Sequence, residues 1–327
     1  MTAGPGGEAV LAPAAATEVP VLRAAVGTYR HTQALKSGQV ASSKLRLDFA
    51  EVSPINRAFA PMVRELRFDV SEMAIATFLQ AKAYGKPLVL LPVTVAARFQ
   101  EGALLCRADD LAISGPGDLA GRRIGVRAYS QTTGMWLRGT LAEDYGVRPE
   151  QVRWVTFEDA HVAEYRDPPW AERALPGKQL LPMLRANELA AVIVGNDAPD
   201  DPDLRAVFPD PAAAAEVFWG EHRFVPVNHL VTVRRELAES RPDLIAELLR
   251  MFREAKAAGP PAVTDGHDPL PMGHAALRPR SRSPCAFPPS RACSPGPSAR
   301  RRCGRGCRRT WRDGGRHNQP RRRARGD

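Results

Sequence analysis

Short apolar runs of strand length alternate with longer segments of helical periodicity through most of this 327-residue chain. The runs include VLRAAV at residues 21–26, LVLLPV at 88–93 and AAVIV at 190–194, and the last helical segment is Pro242 to Ala258. Apolar runs of about four to eight residues between turn signals are typical of strands, whereas helices are longer and repeat their apolar positions every three or four residues. The alternation predicts an α/β fold with mostly parallel sheets and helices on both faces.

The stretch RRIGVRAYSQTTGMWLRG at residues 122–139 predicts a strand, a polar loop and a helix in direct succession. Hydroxyl side chains are favoured at a helix N-terminus, and the free N–H groups there also attract anions. The loop therefore predicts either a plain capped helix or a ligand contact. The candidate ligand-binding residues in this loop are Tyr129, Ser130, Gln131, Thr132 and Thr133.

Two other strands are followed by polar side chains. In an open α/β sheet, residues after the carboxyl ends of strands line the ligand crevice. The residues concerned are Tyr29, Arg30 and His31 after the first strand, and Ser71 and Glu72 after a strand predicted at residues 66–70. Ser71 fits an N-cap, while Glu72 fits either the first turn of the following helix or a proton-transfer group.

Further candidates follow the buried strands. Arg98 comes after residues 88–93, and its guanidinium suits bidentate binding of a carboxylate or an ion pair within the fold. Asn196 and Asp197 follow residues 190–194 and fit either a ligand contact or a turn ahead of a proline. The histidines at positions 161 and 222 lie in predicted loops, and we do not count them as candidates.

The sequence carries no pattern for a cofactor or a metal. It contains neither a phosphate-binding glycine loop nor the His-Glu-x-x-His spacing of zinc proteases. Cys106 is the only cysteine before residue 280, and one cysteine builds neither a disulfide framework nor a Cys-based zinc site. We therefore expect no cofactor and no metal.

Charge is distributed unevenly along the chain. The net charge is +10, but residues 280–327 carry 15 Arg, no Lys and two Asp, whereas residues 1–279 carry 31 basic and 34 acidic residues. The body is mildly acidic, so no specific nucleic-acid partner is expected. No apolar run approaches the roughly 20 residues of a membrane span, and residues 1–20 lack the pattern of a secretory signal. We expect a disordered leader at 1–20 on a cytoplasmic protein without a membrane partner.

Four segments carry a more specific similarity, namely FDVSEMAIATFLQAKAYGK, RRIGVRAYSQTTGMWLRGTLAEDYGV, LLPMLRANELAAVIVGNDAP and FVPVNHLVTVRREL. In this order they resemble the 4,5-dihydroxyphthalate decarboxylase family, over about residues 21–279. The resemblance implies a fold like that of type II periplasmic binding proteins, in which two α/β lobes close over a ligand and the chain crosses between them twice.

The resemblance also implies where the lobes and one histidine lie. We expect lobe 1 at residues 21–117 and 226–279 and lobe 2 at 118–225, with crossings near Pro116 and Pro226. His229 lies at the second crossing and matches a histidine of the family. It is expected to be either a structural residue or a ligand-binding or acid–base group, since histidine exchanges protons near neutral pH.

Residues 280–327 are rich in Arg, Pro, Ser, Gly and Cys and have no hydrophobic periodicity, which is typical of a disordered segment. A change of reading frame through GC-rich codons permits residues 279–299 to become ALALALRFSAEQGLLPRPLA. That sequence is an amphipathic helix and resembles the family's own C-terminal segment. We therefore expect a frameshifted, disordered tail.

Two functions are compatible with these features. The first is decarboxylation of a small hydroxylated aromatic dicarboxylate such as 4,5-dihydroxyphthalate. It needs a group that binds the carboxylate that stays, a dry site, and an acid for the ring carbon. Arg98 and the loop at 130–133 are expected to bind, and His229 or Glu72 to donate the proton. The second is a solute-binding protein of an ABC-type transporter, which binds a small organic anion without chemistry. Both imply a small carboxylate ligand as the partner.

Overall fold

The computed structural model describes residues 18–195, 198–261 and 267–277. The Arg-rich tail, most of the predicted leader, and the candidates Asn196 and Asp197 lie outside the described residues.

In chain order, the strands of the described residues are β1 (Val21–Ala25), β2 (Arg46–Phe49), β3 (Val70–Ala74), β4 (Leu88–Ala97), β5 (Leu104–Arg107), β6 (Arg123–Val126), β7 (Arg153–Thr156), β8 (Ala171–Arg173), β9 (Ala191–Ile193), β10 (Leu204–Ala206) and β11 (Val227–Arg234). The α-helices are α1 (Gln33–Lys36), α2 (Phe59–Glu65), α3 (Ile75–Ala83), α4 (Thr132–Asp144), α5 (Leu180–Arg185), α6 (Pro211–His222), α7 (Arg235–Ser240) and α8 (Pro242–Ala258).

The strands form two sheets, and each sheet is the centre of one lobe. The first has the order β2-β1-β3-β11-β4 and the second β10-β5-β9-β6-β7-β8. Both sheets are mixed, because five of the nine strand pairings are parallel and four are antiparallel. The predicted α/β fold with two lobes is confirmed. Below, the first lobe is the part of the chain around the first sheet, and the second lobe is the part around the second.

The first crossing between the lobes lies earlier than predicted. β4 belongs to the first sheet and β5 to the second, so the chain crosses between Ala97 and Leu104 rather than near Pro116. The glycine and proline that suggested a boundary instead form a short 3₁₀ turn at Pro116–Leu119 within the second lobe. The chain returns to the first sheet at β11, which begins next to Pro226.

The strand predicted at residues 66–70 is also displaced. Leu66 ends α2 with a left-handed backbone (φ 52°), and the strand that follows is β3 at residues 70–74. Ser71 is therefore a buried strand residue whose hydroxyl donates to the carbonyl of Glu72 at 2.8 Å, and it does not cap a helix. Glu72 likewise lies inside a strand and not in the first turn of α3.

Apolar side chains of α8 cover one face of the first sheet. Leu244, Leu248 and Phe252 are buried in one cluster with Val70 and Val231 of the sheet. Burying such a side chain fully contributes about 1.5–3 kcal/mol, so α8 supplies a large part of the stability of this lobe. The bounds of α8 match the helix predicted at Pro242 to Ala258.

A second buried cluster extends through both lobes. It includes Met73 and Phe78 from the first lobe and Ile124 and Trp154 from the second. The lobes are thus joined by apolar packing as well as by the two crossings. Across the described residues, no helix is long and apolar enough to cross a membrane.

Candidate functional site

A cleft of about 1200 Å³ is lined by both lobes. We call it the interlobe cleft. Its polar lining includes Tyr29, His31, Arg98 and His229 from the first lobe and the first crossing, and Arg127, Ser130, Gln131, Thr132, Thr133 and His161 from the second lobe.

One carboxylate organises the first-lobe wall of the cleft. Glu72 is fully buried, and its Oε1 accepts hydrogen bonds from the Tyr29 hydroxyl at 2.7 Å and from Nδ1 of His229 at 2.6 Å. Its Oε2 accepts the backbone N–H of Gly27 at 2.9 Å. Tyr29 and His229 line the cleft, whereas Glu72 lies behind them. The carboxylate therefore contacts the cleft only through its two partners.

The pairing of β3 with β11 places these side chains together. In the antiparallel register His229 is opposite Ala74 and Val231 is opposite Glu72. Alternate residues of a strand share a face, so Glu72 and His229 are diagonal neighbours on the same face of the sheet, within reach of long side chains.

Tyr29 reaches the carboxylate because residue 27 is a glycine. A Cβ atom at Gly27 would lie 2.7 Å from Cε2, Cζ and the hydroxyl oxygen of the Tyr29 ring. That distance is shorter than any real side-chain contact, so a larger residue would displace the ring. His31 stacks on the Tyr29 ring, with ring centroids 5.2 Å apart.

The hydrogen bonds to Glu72 determine whether its carboxyl group is ionised. Burial opposes the charge on Glu72, but the bonds from His229, Tyr29 and Gly27 outweigh it and hold the pKa of the Glu72 carboxyl below its usual value. Burial and the neighbouring Glu72 charge raise the pKa of Tyr29, which keeps its hydroxyl protonated. An ionised carboxylate only accepts hydrogen bonds, so Nδ1 of His229 carries a hydrogen and Nε2 is the ring nitrogen left for a ligand.

The second-lobe wall carries another histidine, His161. Its Nδ1 lies 2.8 Å from the hydroxyl of Thr77 on α3, and its ring packs edge-on against Phe59, with centroids 5.6 Å apart. Phe59 makes the same edge-on contact with His229 at 5.1 Å. Burial lowers the pKa of His161 to about 4, assisted by the positive charges of Arg127 and Arg64 and by His229. His161 is therefore neutral at neutral pH.

The start of α4 lies at the cleft, but its hydroxyls do not cap the helix as predicted. The N-cap is Gln131, and no side chain makes a cap hydrogen bond there. Thr132 Oγ1 instead accepts the backbone N–H of Ala76 from the first lobe at 3.3 Å, and Thr133 Oγ1 accepts from the Arg98 guanidinium at 3.2 Å. Both threonines thus serve contacts between the lobes or with the crossing segment.

The cleft is also lined by other residues that were predicted from the sequence to contact a ligand. These are Tyr29, Arg98, Ser130, Gln131, Thr132 and Thr133. The side-chain Oε1 of Gln131 is buried and has no hydrogen-bond partner among the described residues.

Besides Glu72, three candidates do not line the cleft. Arg30 is exposed, and Ser71 is buried within the first sheet. Tyr129 is buried in the second lobe, where the Arg138 guanidinium lies 3.9 Å from its ring centre and its hydroxyl accepts from Trp170 at 2.9 Å. For Tyr129 the structure supports a packing role, because the ring is enclosed by other side chains.

His161 is the site residue that sequence reasoning missed. It lies in a proline-rich loop without periodicity, and its partner Thr77 is 84 positions away in the chain. Only its place in the loop that follows the strand β7 could have suggested a crevice residue. In the described ranges, no three His, Cys, Asp or Glu residues are grouped so that they could hold a metal ion.

Comparison with known proteins gave two relatives by sequence and several solved structures. No family model matches the chain. The chain is 29% identical over 263 residues to 4,5-dihydroxyphthalate decarboxylase of Comamonas testosteroni, covering 75% of this chain and 77% of the relative. It is 30% identical over 211 residues to 4,5-dihydroxyphthalate decarboxylase of Pseudomonas putida, covering 61% of this chain and 81% of the relative.

The solved structures are more distant. The periplasmic aliphatic sulphonate binding protein SsuA from Escherichia coli has a TM-score of 0.44 at 14% identity and covers 73% of each chain. The desulfurization enzyme DSZB has a TM-score of 0.44 at 17% identity, covering 79% of this chain and 88% of its own.

Proposed function

Because the chain belongs to the 4,5-dihydroxyphthalate decarboxylase family, we propose that it releases CO2 from a small hydroxylated aromatic dicarboxylate held in the interlobe cleft. The observation that carries the proposal is the His229 imidazole in the cleft, bonded at 2.6 Å to a carboxylate that is fully buried. A histidine supported in this way is suited to carry a proton to a substrate carbon.

The reaction replaces one carboxyl group on the ring by a hydrogen. His229 as an imidazolium gives the proton on Nε2 to the ring carbon that bears the leaving carboxylate. The bond from that carbon to the carboxylate then breaks, its electrons return to the ring, and CO2 leaves. One proton is consumed for each CO2 formed, and 4,5-dihydroxyphthalate gives 3,4-dihydroxybenzoate. His229 regains its proton from solvent.

Glu72 acts through His229 and not on the substrate. The carboxylate does not line the cleft, and its three hydrogen bonds hold it ionised, so it is a poor proton donor. Its charge instead stabilises the imidazolium that His229 must become, in the manner of a carboxylate that orients a catalytic histidine. Of the two acids expected from the sequence, His229 therefore has the catalytic role and Glu72 is a positioning residue.

The carboxylate that remains on the ring needs a cationic partner, and Arg98 is placed to supply it. Arg98 lines the cleft beside Thr133 at the first crossing. The backbone N–H groups at the start of α4 add a favourable field for an anion.

The direct test is incubation of the full chain with 4,5-dihydroxyphthalate, with CO2 and 3,4-dihydroxybenzoate as the measured products. We expect both products in equal amounts. Tight binding of the dicarboxylate without CO2 would favour the alternative, a solute-binding protein for a small organic anion. Failure to bind it at all would contradict the proposed decarboxylation of this dicarboxylate.

A further inference from the structure

The ring of His161 is held in one orientation by contacts that come from the opposite lobe. Thr77 on α3 bonds to Nδ1 at 2.8 Å. Arg64 on α2 donates to the carbonyl oxygens of His161 and Ala160 at 2.8 and 2.9 Å. Since Nδ1 is engaged, Nε2 is the ring nitrogen left for a ligand. Such support on both the side chain and the main chain is what a precise ligand contact requires.

His161 and His229 pack against the same aromatic ring. Both pack edge-on against Phe59, at interplanar angles of 86° and 83°, and all three side chains line the cleft. An aromatic ligand that packs near Phe59 would therefore meet one histidine from each lobe. The proposed chemistry uses only His229, which leaves His161 without an assigned task.

We propose that Nε2 of His161 hydrogen-bonds a ring hydroxyl of the aromatic substrate and thereby makes the cleft selective for hydroxylated over unsubstituted phthalates. This inference rests on the proposed function, because it takes the substrate class from there. His161 is then a specificity-determining residue, and no proton transfer to it is required.

A hydroxyl fits His161 better than a carboxylate does. A neutral imidazole has one nitrogen that donates and one that accepts, and a hydroxyl both donates and accepts, so the bond forms with either tautomer. A carboxylate would bond only if Nε2 carried the hydrogen. The imidazole is kept neutral by burial and by the nearby Arg64 and Arg127, which hold its pKa at about 4, so it offers no charge to an anion.

The hydrogen bond between His161 and the ring hydroxyl would give selectivity, because a ligand that cannot form it binds less tightly. A ligand without the hydroxyl leaves the imidazole nitrogen in the closed cleft without a partner, and sites built to bind a substrate hydroxyl reject analogues that lack it. We expect the wild-type protein to bind 4,5-dihydroxyphthalate about tenfold or more tightly than phthalate, since one such bond is worth roughly 1.4 kcal/mol.

The test compares the dissociation constants of these two ligands by calorimetry on the full chain. His161→Asn keeps a group that can bond to Thr77 but lacks the atom at the Nε2 position, and His161→Gln offers an amide nearer that position. We expect the affinity ratio to fall toward one in His161→Asn and to be partly kept in His161→Gln. His222→Asn is the matched control, since His222 bonds to Asp144 and does not line the cleft.

Two outcomes overturn the inference: a ratio near one in the wild type, or an unchanged ratio in His161→Asn, including the case in which that variant loses affinity equally for both ligands. The CO2 assay separates this result from the fate of the proposed function. If the protein releases no CO2 but His161→Asn loses selectivity, the decarboxylase proposal is wrong and the His161 contact is supported. If the protein releases CO2 but the affinity ratio is unchanged in His161→Asn, the decarboxylase proposal is supported and the His161 contact is wrong.

Discussion

Two histidines line the interlobe cleft from opposite lobes, pack edge-on against the same phenylalanine, and differ in what lies behind them. His229 has a fully buried carboxylate at 2.6 Å from Nδ1, whereas His161 has the Thr77 hydroxyl at 2.8 Å. The guanidinium groups of Arg64 and Arg127 are close enough to His161 to disfavour its protonation. The cleft thus contains one imidazole that is bonded to a buried carboxylate and one that is kept neutral.

The difference shows that the partner of a histidine, and not the histidine itself, sets its chemistry. A carboxylate partner stabilises the imidazolium needed by a proton donor, while a hydroxyl partner with cations nearby leaves a neutral hydrogen-bonding ring. Both imidazoles are half-buried in the same cleft, so access to ligand does not distinguish them. Each of the following predictions changes a residue at the cleft or behind its wall.

Among the variants that leave both histidines in place, Glu72→Gln should have the largest effect, because it makes the partner of His229 neutral. We expect the rate of CO2 release to fall by about 10²-fold or more, within the range typical of lost acid–base catalysis. The amide must also accept from Tyr29, His229 and Gly27, and its NH2 group would face one of these donors. The rate should therefore be measured on protein shown by circular dichroism to be folded. Glu158→Gln, at the salt bridge with Arg127, serves as the control. A folded Glu72→Gln protein with wild-type turnover would contradict the role of the carboxylate.

The neutral histidine should appear in the pH dependence of stability. The pKa of His161 is lowered from 6.5 to about 4, so between these values the unfolded chain binds more protons than the folded one. Stability should accordingly fall as pH drops from 6.5 toward 4, by up to about 3 kcal/mol from this group. Denaturant unfolding of the wild type and His161→Asn across this range measures the difference. The variant should show the smaller decline, and identical slopes would contradict a buried neutral imidazole.

Arg98→Ala should weaken binding of a dicarboxylate by about 1.5 to 3 kcal/mol, because charge-assisted hydrogen bonds have this magnitude. Thr132→Ala is expected to weaken binding as well, through the loop at the start of α4. Arg185→Ala removes another cation that lines the cleft, at the end of α5 and not beside Thr133 at the start of α4, and it should have a smaller effect. Calorimetry with 4,5-dihydroxyphthalate ranks the three variants. An equal effect of Arg98→Ala and Arg185→Ala would remove the case for a specific carboxylate site.

Gly27→Ala should disturb the contact between Tyr29 and Glu72 and leave the contacts of His161 intact. The new Cβ would lie 2.7 Å from the Tyr29 ring, so the ring must move and its bond to Glu72 must lengthen. Overpacking of this kind costs about 1 to 3 kcal/mol of stability. Thermal unfolding should show the loss, together with lower turnover. Selectivity between phthalate and 4,5-dihydroxyphthalate should persist, and its disappearance would mean that the two walls are not independent.

Sequence patterns predicted the parts of the fold that depend on local periodicity. The apolar run at residues 88–93 lies in β4, and the amphipathic segment Pro242 to Ala258 is α8. The predictions were wrong at two places where a local sequence pattern suggested one structure and the chain adopts another. Residues 66–70 alternate apolar and charged side chains and resembled a strand, but Leu66 takes a left-handed conformation that ends α2, and the strand begins at Val70. Gly115 and Pro116 resembled a boundary, yet they form a turn inside the second lobe.

The candidate site was predicted only in part, for a physical reason. Residues after strand ends, such as Tyr29 and Arg98, could be placed at the crevice because the topology of an α/β sheet puts them there. The contacts that give His229 and His161 different properties join residues 157 and 84 positions apart. No local pattern encodes such pairs, so the sequence suggested Glu72 as a proton donor and passed over His161.

The measurement closest to the central claim is the turnover of His229→Asn, with binding measured on the same protein. Asparagine can keep the bond to Glu72 but has no Nε2 to carry a proton to the ring carbon. We expect CO2 release from 4,5-dihydroxyphthalate to fall by about 10²- to 10⁴-fold, while its preference over phthalate is kept and His222→Asn behaves as the wild type. Wild-type rates of CO2 release by a folded, ligand-binding His229→Asn protein would contradict the account, because the proton would then come from another group.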